Sequence, residues 1–170
     1  MRIEHKPVRT GLLTLLALGF AGLAHAGDRE DIAAVIEKYR VLEEKGEFIE
    51  QGKLMTDDRV MMYPGGRKTG DNRQDMREQQ AFIDRFSAEF PGVHYRVEIR
   101  NMEIRSWGDS AMVTLEWFPT RVVPASLPKE KAAKLGTPKP PVIAAVMLVK
   151  LQGAWKIAFT AFVPQAKPAA

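Results

Sequence analysis

From Asp28 to Lys45, Ile32, Val35, Ile36, Tyr39 and Leu42 recur at helical spacing, and acids and bases fill the other positions. That stripe predicts an amphipathic helix, with Asp28 or Asp31 as its cap and Gly46 as its stop. A shorter helix is expected over 47–56, with Phe48, Ile49, Leu54 and Met55 as its apolar side. Asp57 and Asp58 close it, and 59–63 (RVMMY) reads as a first strand, followed by a Pro64-Gly65-Gly66 turn. A third helix runs from a cap at Asp71 or Asn72 to about Glu89, with Met76, Phe82, Ile83 and Phe86 as its stripe. Pro91-Gly92 stops it.

The period changes from His94 onward. Tyr95, Val97 and Ile99 alternate with His94, Arg96, Glu98 and Arg100, the mark of a strand with one wet face. The strand continues past a bulge near Asn101 to Trp107, turns at Gly108-Asp109, and returns over 111–118. Residues 122–141, rich in Pro and Lys, read as a long loop. Two more strands, 142–151 and 155–163, flank a Gln152-Gly153 turn. Helices first and antiparallel strands afterwards predict an α+β fold with the helices packed on one face of the sheet. A strongly curved, mainly antiparallel sheet wrapped on those helices leaves a conical hollow, a natural ligand site.

The chain of 170 residues suits one domain preceded by a leader. Arg2, Lys6 and Arg9 form a basic start, Gly11 to Leu23 is an apolar run, and Ala24-His25-Ala26 has the small-x-small pattern of a signal-peptidase site. The expected organisation is a signal peptide at 1–26, one domain at 27–164 and a disordered tail at 165–170. The run falls short of the roughly 20 residues of a membrane span, so no stable membrane insertion is expected after cleavage. The expected location is periplasmic or secreted.

The leader holds three bases and one acid (Glu4), so the net charge of +4 falls to +2 on its removal. A small charge without clustered Lys and Arg gives no nucleic-acid footprint. With no cysteine, disulfides, thiol catalysis and lipoprotein anchoring are excluded. His5 and His25 belong to the leader, which leaves His94 as the single imidazole. One His and scattered acids make no zinc ligand set, and no glycine loop of phosphate-cradling form precedes a helix. No cofactor is implied.

The first helix, the stretch LMTDDRVMMYPGG, Gly70 ahead of a helix, the hairpin SWGDSAMVTLEW and the closing QGAWKIAFTAFVP together resemble the nuclear transport factor 2-like superfamily. The nearest kin look like its SnoaL-like and ketosteroid isomerase-like branches, and the resemblance covers almost all of 28–164. It implies a cone-shaped fold, and a superfamily whose members include isomerases, dehydratases, cyclases and transport factors. Residues 57–64 resemble the isomerase segment that ends in a catalytic Asp before a Pro, and here Tyr63 stands in the place of that base. A tyrosine with a pKa near 10 is a poor proton acceptor at neutral pH. That argues against isomerase chemistry and leaves Tyr63 as a candidate hydrogen-bond donor to a ligand carbonyl.

Tyr39, Tyr63, Tyr95 and Trp117 are the expected pocket lining, apolar bodies with polar tips. His94, whose type titrates near neutrality, and Glu116, a carboxylate among Met112, Thr114 and Phe118, are the candidate acid–base groups. The reading these residues favour is a domain that binds a small, mainly apolar molecule without catalysis. The alternative is a cofactor-independent lyase, isomerase or cyclase that uses His94 or Glu116 with Tyr63. Over 142–151 both alternating sets of side chains are apolar, and 155–162 repeats this. A sheet covered by helices on one face should be polar on the other, so a homodimer through the open sheet face is expected.

Overall fold

The computed structural model describes residues 17–63, 66 and 68–165, and of 17–26, 68 and 69 the backbone alone. The basic start of the leader, the Pro64-Gly65 turn and tail residues 166–170 lie outside the described residues.

Helix α1 spans Ala17–Lys45. It passes through the expected start at Asp28 without a break, because the glycines ahead of it, Gly19, Gly22 and Gly27, stand singly, with no proline beside them, and each costs a helix only about 1 kcal/mol. Helix α2, Phe48–Gly52, is half the expected length. A Cβ at Gly52 would sit 2.8 Å from Met76 Cγ, so the tight contact with the third helix needs glycine there. The residues expected to finish α2 belong instead to strand β1, Met55–Met62. Asp57 and Asp58 fall where β1 shifts register against its neighbour, and both are exposed.

After the two-residue strand β2 (Lys68–Thr69) comes helix α3, Asn72–Glu89, capped by the Asp71 carboxylate, which accepts from Gln74 N at 3.0 Å. Its stripe differs from expectation. Asn72, Asp75 and Met76 are buried, whereas Phe82 is 60% exposed and stacks on Phe86. Strands β3 (His94–Trp107), β4 (Ser110–Val122), β5 (Val142–Leu151) and β6 (Ala154–Pro164) follow, with a short helix α4 (Lys129–Ala132) in the loop. The expected bulge is present, with a register shift between Arg100 and Glu103 and Asn101 at a φ of 50°. Gln152 and Gly153 both take positive φ, as the tightest β-hairpin turns require.

The sheet order is β2-β1-β6-β5-β4-β3, parallel only between β1 and β6. Ile32, Ile36 and Leu42 of α1 meet Val113, Leu115, Val146, Leu148 and Ile157 in one core on the inner face of the sheet. The β4–β5 loop is not merely a solvent segment. Leu127 is buried with Phe90 and Val93 in a second small cluster, which anchors the loop beside the C-terminus of α3.

The outer face of the sheet carries a largely apolar band over β4, β5, β6 and β1, bordered by the charged outer positions of β3. Met112, Met147, Phe159 and Val60 face one another across four strands, and Thr114, Ala145, Ala161 and Met62 form the next row. Ile143 and Met147 are each 44% exposed there.

Candidate functional site

Between α1, α3 and the inner sheet lies a cavity of about 400 Å³. Strand alternation supplies its wall, since Trp117, Val142 and Phe162 point inward from three neighbouring strands. Tyr39 of α1 meets Trp117 edge-on, with ring centroids 5.8 Å apart at 74°. Tyr63 stands just beyond the end of β1 and stacks on Phe162, 6.5 Å between centroids. Tyr39, Trp117 and Phe162 also line a small apolar hollow that continues inward, where the Thr160 hydroxyl has no hydrogen-bond partner among the described residues.

The polar groups of the cavity gather at one side. Glu43 lies one helical turn beyond Tyr39, and its side chain is only 19% exposed. Burial pushes its carboxyl above the usual carboxylate range, while the Lys139 charge and hydrogen bonds with Gln51 and Tyr39 oppose that push. Lys139 Nζ lies 3.8 Å from Glu43 Oε1. Burial, and then the Glu43 charge, push the Tyr39 hydroxyl far up, so it remains a hydrogen-bond donor at any physiological pH.

A buried ion pair supports this side. Arg59 Nη2 donates to Asp75 Oδ2 at 2.8 Å, with the side chains 0% and 4% exposed. Gln79, which lines the cavity, donates to the same Asp75 oxygen at 2.9 Å, so the ion pair fixes the amide at the cavity wall.

Glu43, Gln79 and Lys139 are shared with a second chamber of about 280 Å³. Phe48, Phe82, Ile83, Phe86 and Leu135 give that chamber its apolar surface. Tyr95 lines it rather than the cone. The loop is pinned above by Arg121, which donates to Gly136 O and Thr137 O at 2.9 Å and to Tyr95 Oη at 3.0 Å.

Three of the four expected lining residues, Tyr39, Tyr63 and Trp117, thus share the cone cavity, and Tyr95 sits in its neighbour. His94 and Glu116 do not line the cone. His94 is exposed and donates from Nδ1 to Gly92 O at 3.0 Å. Glu116 lies directly across from Arg100 on the outer face of the sheet, since Leu115 and Trp117 take the inward positions. Glu43, whose carboxyl does line the cavity, belongs by residue type with the charged positions of α1. Its spacing from Ile36 and Tyr39 was the available signal, because positions three, four and seven apart share a helix face. Among the described residues no group of three or more His, Cys, Asp or Glu is placed to hold a metal, and no helix is long and apolar enough to cross a membrane.

No protein-family model and no curated protein matches the chain. Solved structures do. An NTF2-like protein with a cystatin-like fold from Novosphingobium aromaticivorans is 17% identical, with 94% of this chain and 95% of that one covered and a TM-score of 0.66. A putative dehydratase of the NTF2-like family from Streptomyces avermitilis is 14% identical, covering 84% and 99%, with a TM-score of 0.64. An NTF2-like protein from Cytophaga hutchinsonii is 14% identical, covering 81% and 98%, with a TM-score of 0.60. The chain therefore has the nuclear transport factor 2-like fold, an α+β cone with N-terminal helices on a curved, mainly antiparallel sheet.

Proposed function

We propose that the chain is an exported domain that holds a small, mainly apolar molecule in the cone cavity. The observation that carries this reading is the cavity itself, about 400 Å³ walled by Met61, Trp117, Val142 and Phe162, with its polar groups at one side. Binding sites for small molecules combine an apolar wall with a few placed polar groups in this way. Export is supported by the leader pattern, and the contacts of Asp28 with Lys150 and Trp155 lie downstream of the expected cleavage site. A chain starting at Gly27 keeps those contacts. Native mass spectrometry of protein purified from its own periplasm or medium tests the binding reading. A reproducible added mass lost on Trp117→Ala is expected, and a clean apo mass with no small molecule extracted by solvent would overturn it.

A second reading, an acid–base enzyme of lyase or isomerase type, is favoured by Glu43. A buried carboxyl whose pKa is raised above the ordinary carboxylate range suits the exchange of protons with a substrate, and Tyr39 beside it donates a hydrogen bond where negative charge develops on a carbonyl oxygen. A protein of the same fold carries the name putative dehydratase, and a dehydration asks for these two roles. If turnover exists, Glu43→Gln abolishes it while ligand binding survives. Activity undiminished in that variant rules Glu43 out as the acid–base group.

The outer sheet face supports a homodimer. Its apolar rows lie opposite the helices, and a two-fold contact covers the same patch on both copies.

A further inference from the structure

We infer that the occupant of the cone cavity is an amphiphilic carboxylic acid, its carboxylate held between Lys139 Nζ and the Glu43 carboxyl and its apolar body against Trp117 and Phe162. The inference rests on the cone being a binding site and goes on to name the chemistry of the ligand.

Three observations carry it. First, the charged groups that line the cone and the adjoining chamber are Glu43, Lys139 and Arg121. The cone and the chamber together are therefore positive by one charge even with Glu43 ionised. Second, the two cations are not equivalent. Arg121 spends Nε, Nη1 and Nη2 on Tyr95 Oη, Gly136 O and Thr137 O, which fixes the loop and leaves little for a ligand. Lys139 is held loosely. Its ammonium stands 3.8 Å from Glu43, beyond hydrogen-bond distance, and 5.2 Å from the centre of the Tyr95 ring. Third, the Glu43 side chain is only 19% exposed beside Tyr39 and Gln51, and burial there favours the neutral acid, which agrees with its raised pKa.

A carboxylate that enters between Lys139 and Glu43 brings acceptors to both groups. Lys139 supplies a charge-assisted hydrogen bond. Glu43 takes up a proton and supplies the other, because two adjacent carboxylates share one proton rather than ionise together. No bond is made or broken, and the proton comes from solvent. A neutral alcohol forgoes the ion pair with Lys139. An amine meets the Lys139 charge directly.

Three probes of one chain length separate these cases: decanoate, 1-decanol and decylamine, each titrated at pH 7 below its micelle concentration and followed by calorimetry and tryptophan fluorescence. Decanoate is expected to bind about tenfold or more tightly than decanol, the gain of about one charge-assisted hydrogen bond over a neutral one, and decylamine least. In Lys139→Gln the decanoate preference disappears while decanol affinity stays within about twofold, so the loss is of charge recognition and not of the cavity. Equal binding of acid and alcohol by the wild type overturns the carboxylate assignment but leaves the cavity as an apolar site. Preference for decylamine overturns it too, and makes Glu43 the recognising charge. Binding of none of the three also overturns it, and the native mass spectrum then judges the cavity separately.

Discussion

The indole Nε1 of Trp155 donates to the Asp28 carboxylate at 3.2 Å, and the same oxygen accepts from the Lys150 ammonium at 2.6 Å. One acid near the start of the expected mature chain thereby joins α1 to the far end of the β5–β6 hairpin. Trp155 is 4% exposed, so its N–H has little access to water once Asp28 is gone. Asp28→Ala is expected to cost about 1–3 kcal/mol, the penalty for a buried donor left unpaired. Asp28→Asn keeps an acceptor and should lose less. Urea unfolding of the two variants checks the order.

Glu43 makes stability depend on pH with a defined sign. Its folded-state pKa is raised above the ordinary 4.5, so the folded state favours the protonated carboxyl. Its contribution to stability is full below the unfolded pKa and is lost as pH rises through the raised folded value. Glu43→Gln, which cannot ionise, should match the wild type at about pH 4 and gain on it as pH rises. Thermal melts from acid to mildly alkaline pH show the divergence. Parallel curves over that range would mean that burial does not dominate at Glu43.

Tyr63→Phe preserves the ring that stacks on Phe162 and removes only the hydroxyl. If Tyr63 donates to the ligand, affinity falls by about 0.5–1.5 kcal/mol, the net value of one neutral hydrogen bond, while the protein still folds. Equal affinity in calorimetry removes Tyr63 from ligand recognition.

Met147 lies in the middle strands of the outer apolar face, while Val146 beside it is buried. Met147→Glu should therefore give a folded monomer, with a charge placed in the proposed two-fold contact of about 800 Å² per partner. Sedimentation equilibrium distinguishes the species. A wild type that stays monomeric at tens of micromolar would end the dimer proposal.

The proposed export gives a definite N-terminus. Protein recovered outside the cytoplasm should begin at Gly27, checked by N-terminal sequencing or intact mass. Recovery of a chain that still starts at Met1 in the membrane fraction contradicts cleavage.

The order of elements was legible in the sequence because each carries its own period. The alternation from Tyr95 to Ile99 and the turn residues Gly108-Asp109 and Gln152-Gly153 fix strands and hairpins locally, whatever surrounds them. Boundaries were less legible where a local pattern fits two structures. The apolar residues Leu54 and Met55 suit the end of a helix as well as the start of a strand. Backbone pairing decided for the strand, with Met55 set opposite Ile157 of β6.

The sequence by itself determined the fold class, three of the four described helices, the long β3–β4 hairpin, and Tyr39, Tyr63 and Trp117 as aromatic residues of the cone. Only the tertiary structure decided which acids face inward. Glu116 has apolar neighbours along its strand, yet strand alternation turns it outward opposite Arg100, while Glu43, followed in sequence by Glu44 and Lys45, is turned into the cone with Tyr39. Asp75 and Arg59 look like surface charges in sequence and are buried together. The physical reason is that period and propensity report which residues share a face. Whether that face meets water, a helix or a cavity depends on elements distant in the chain, and the pKa of a carboxyl is set by that environment.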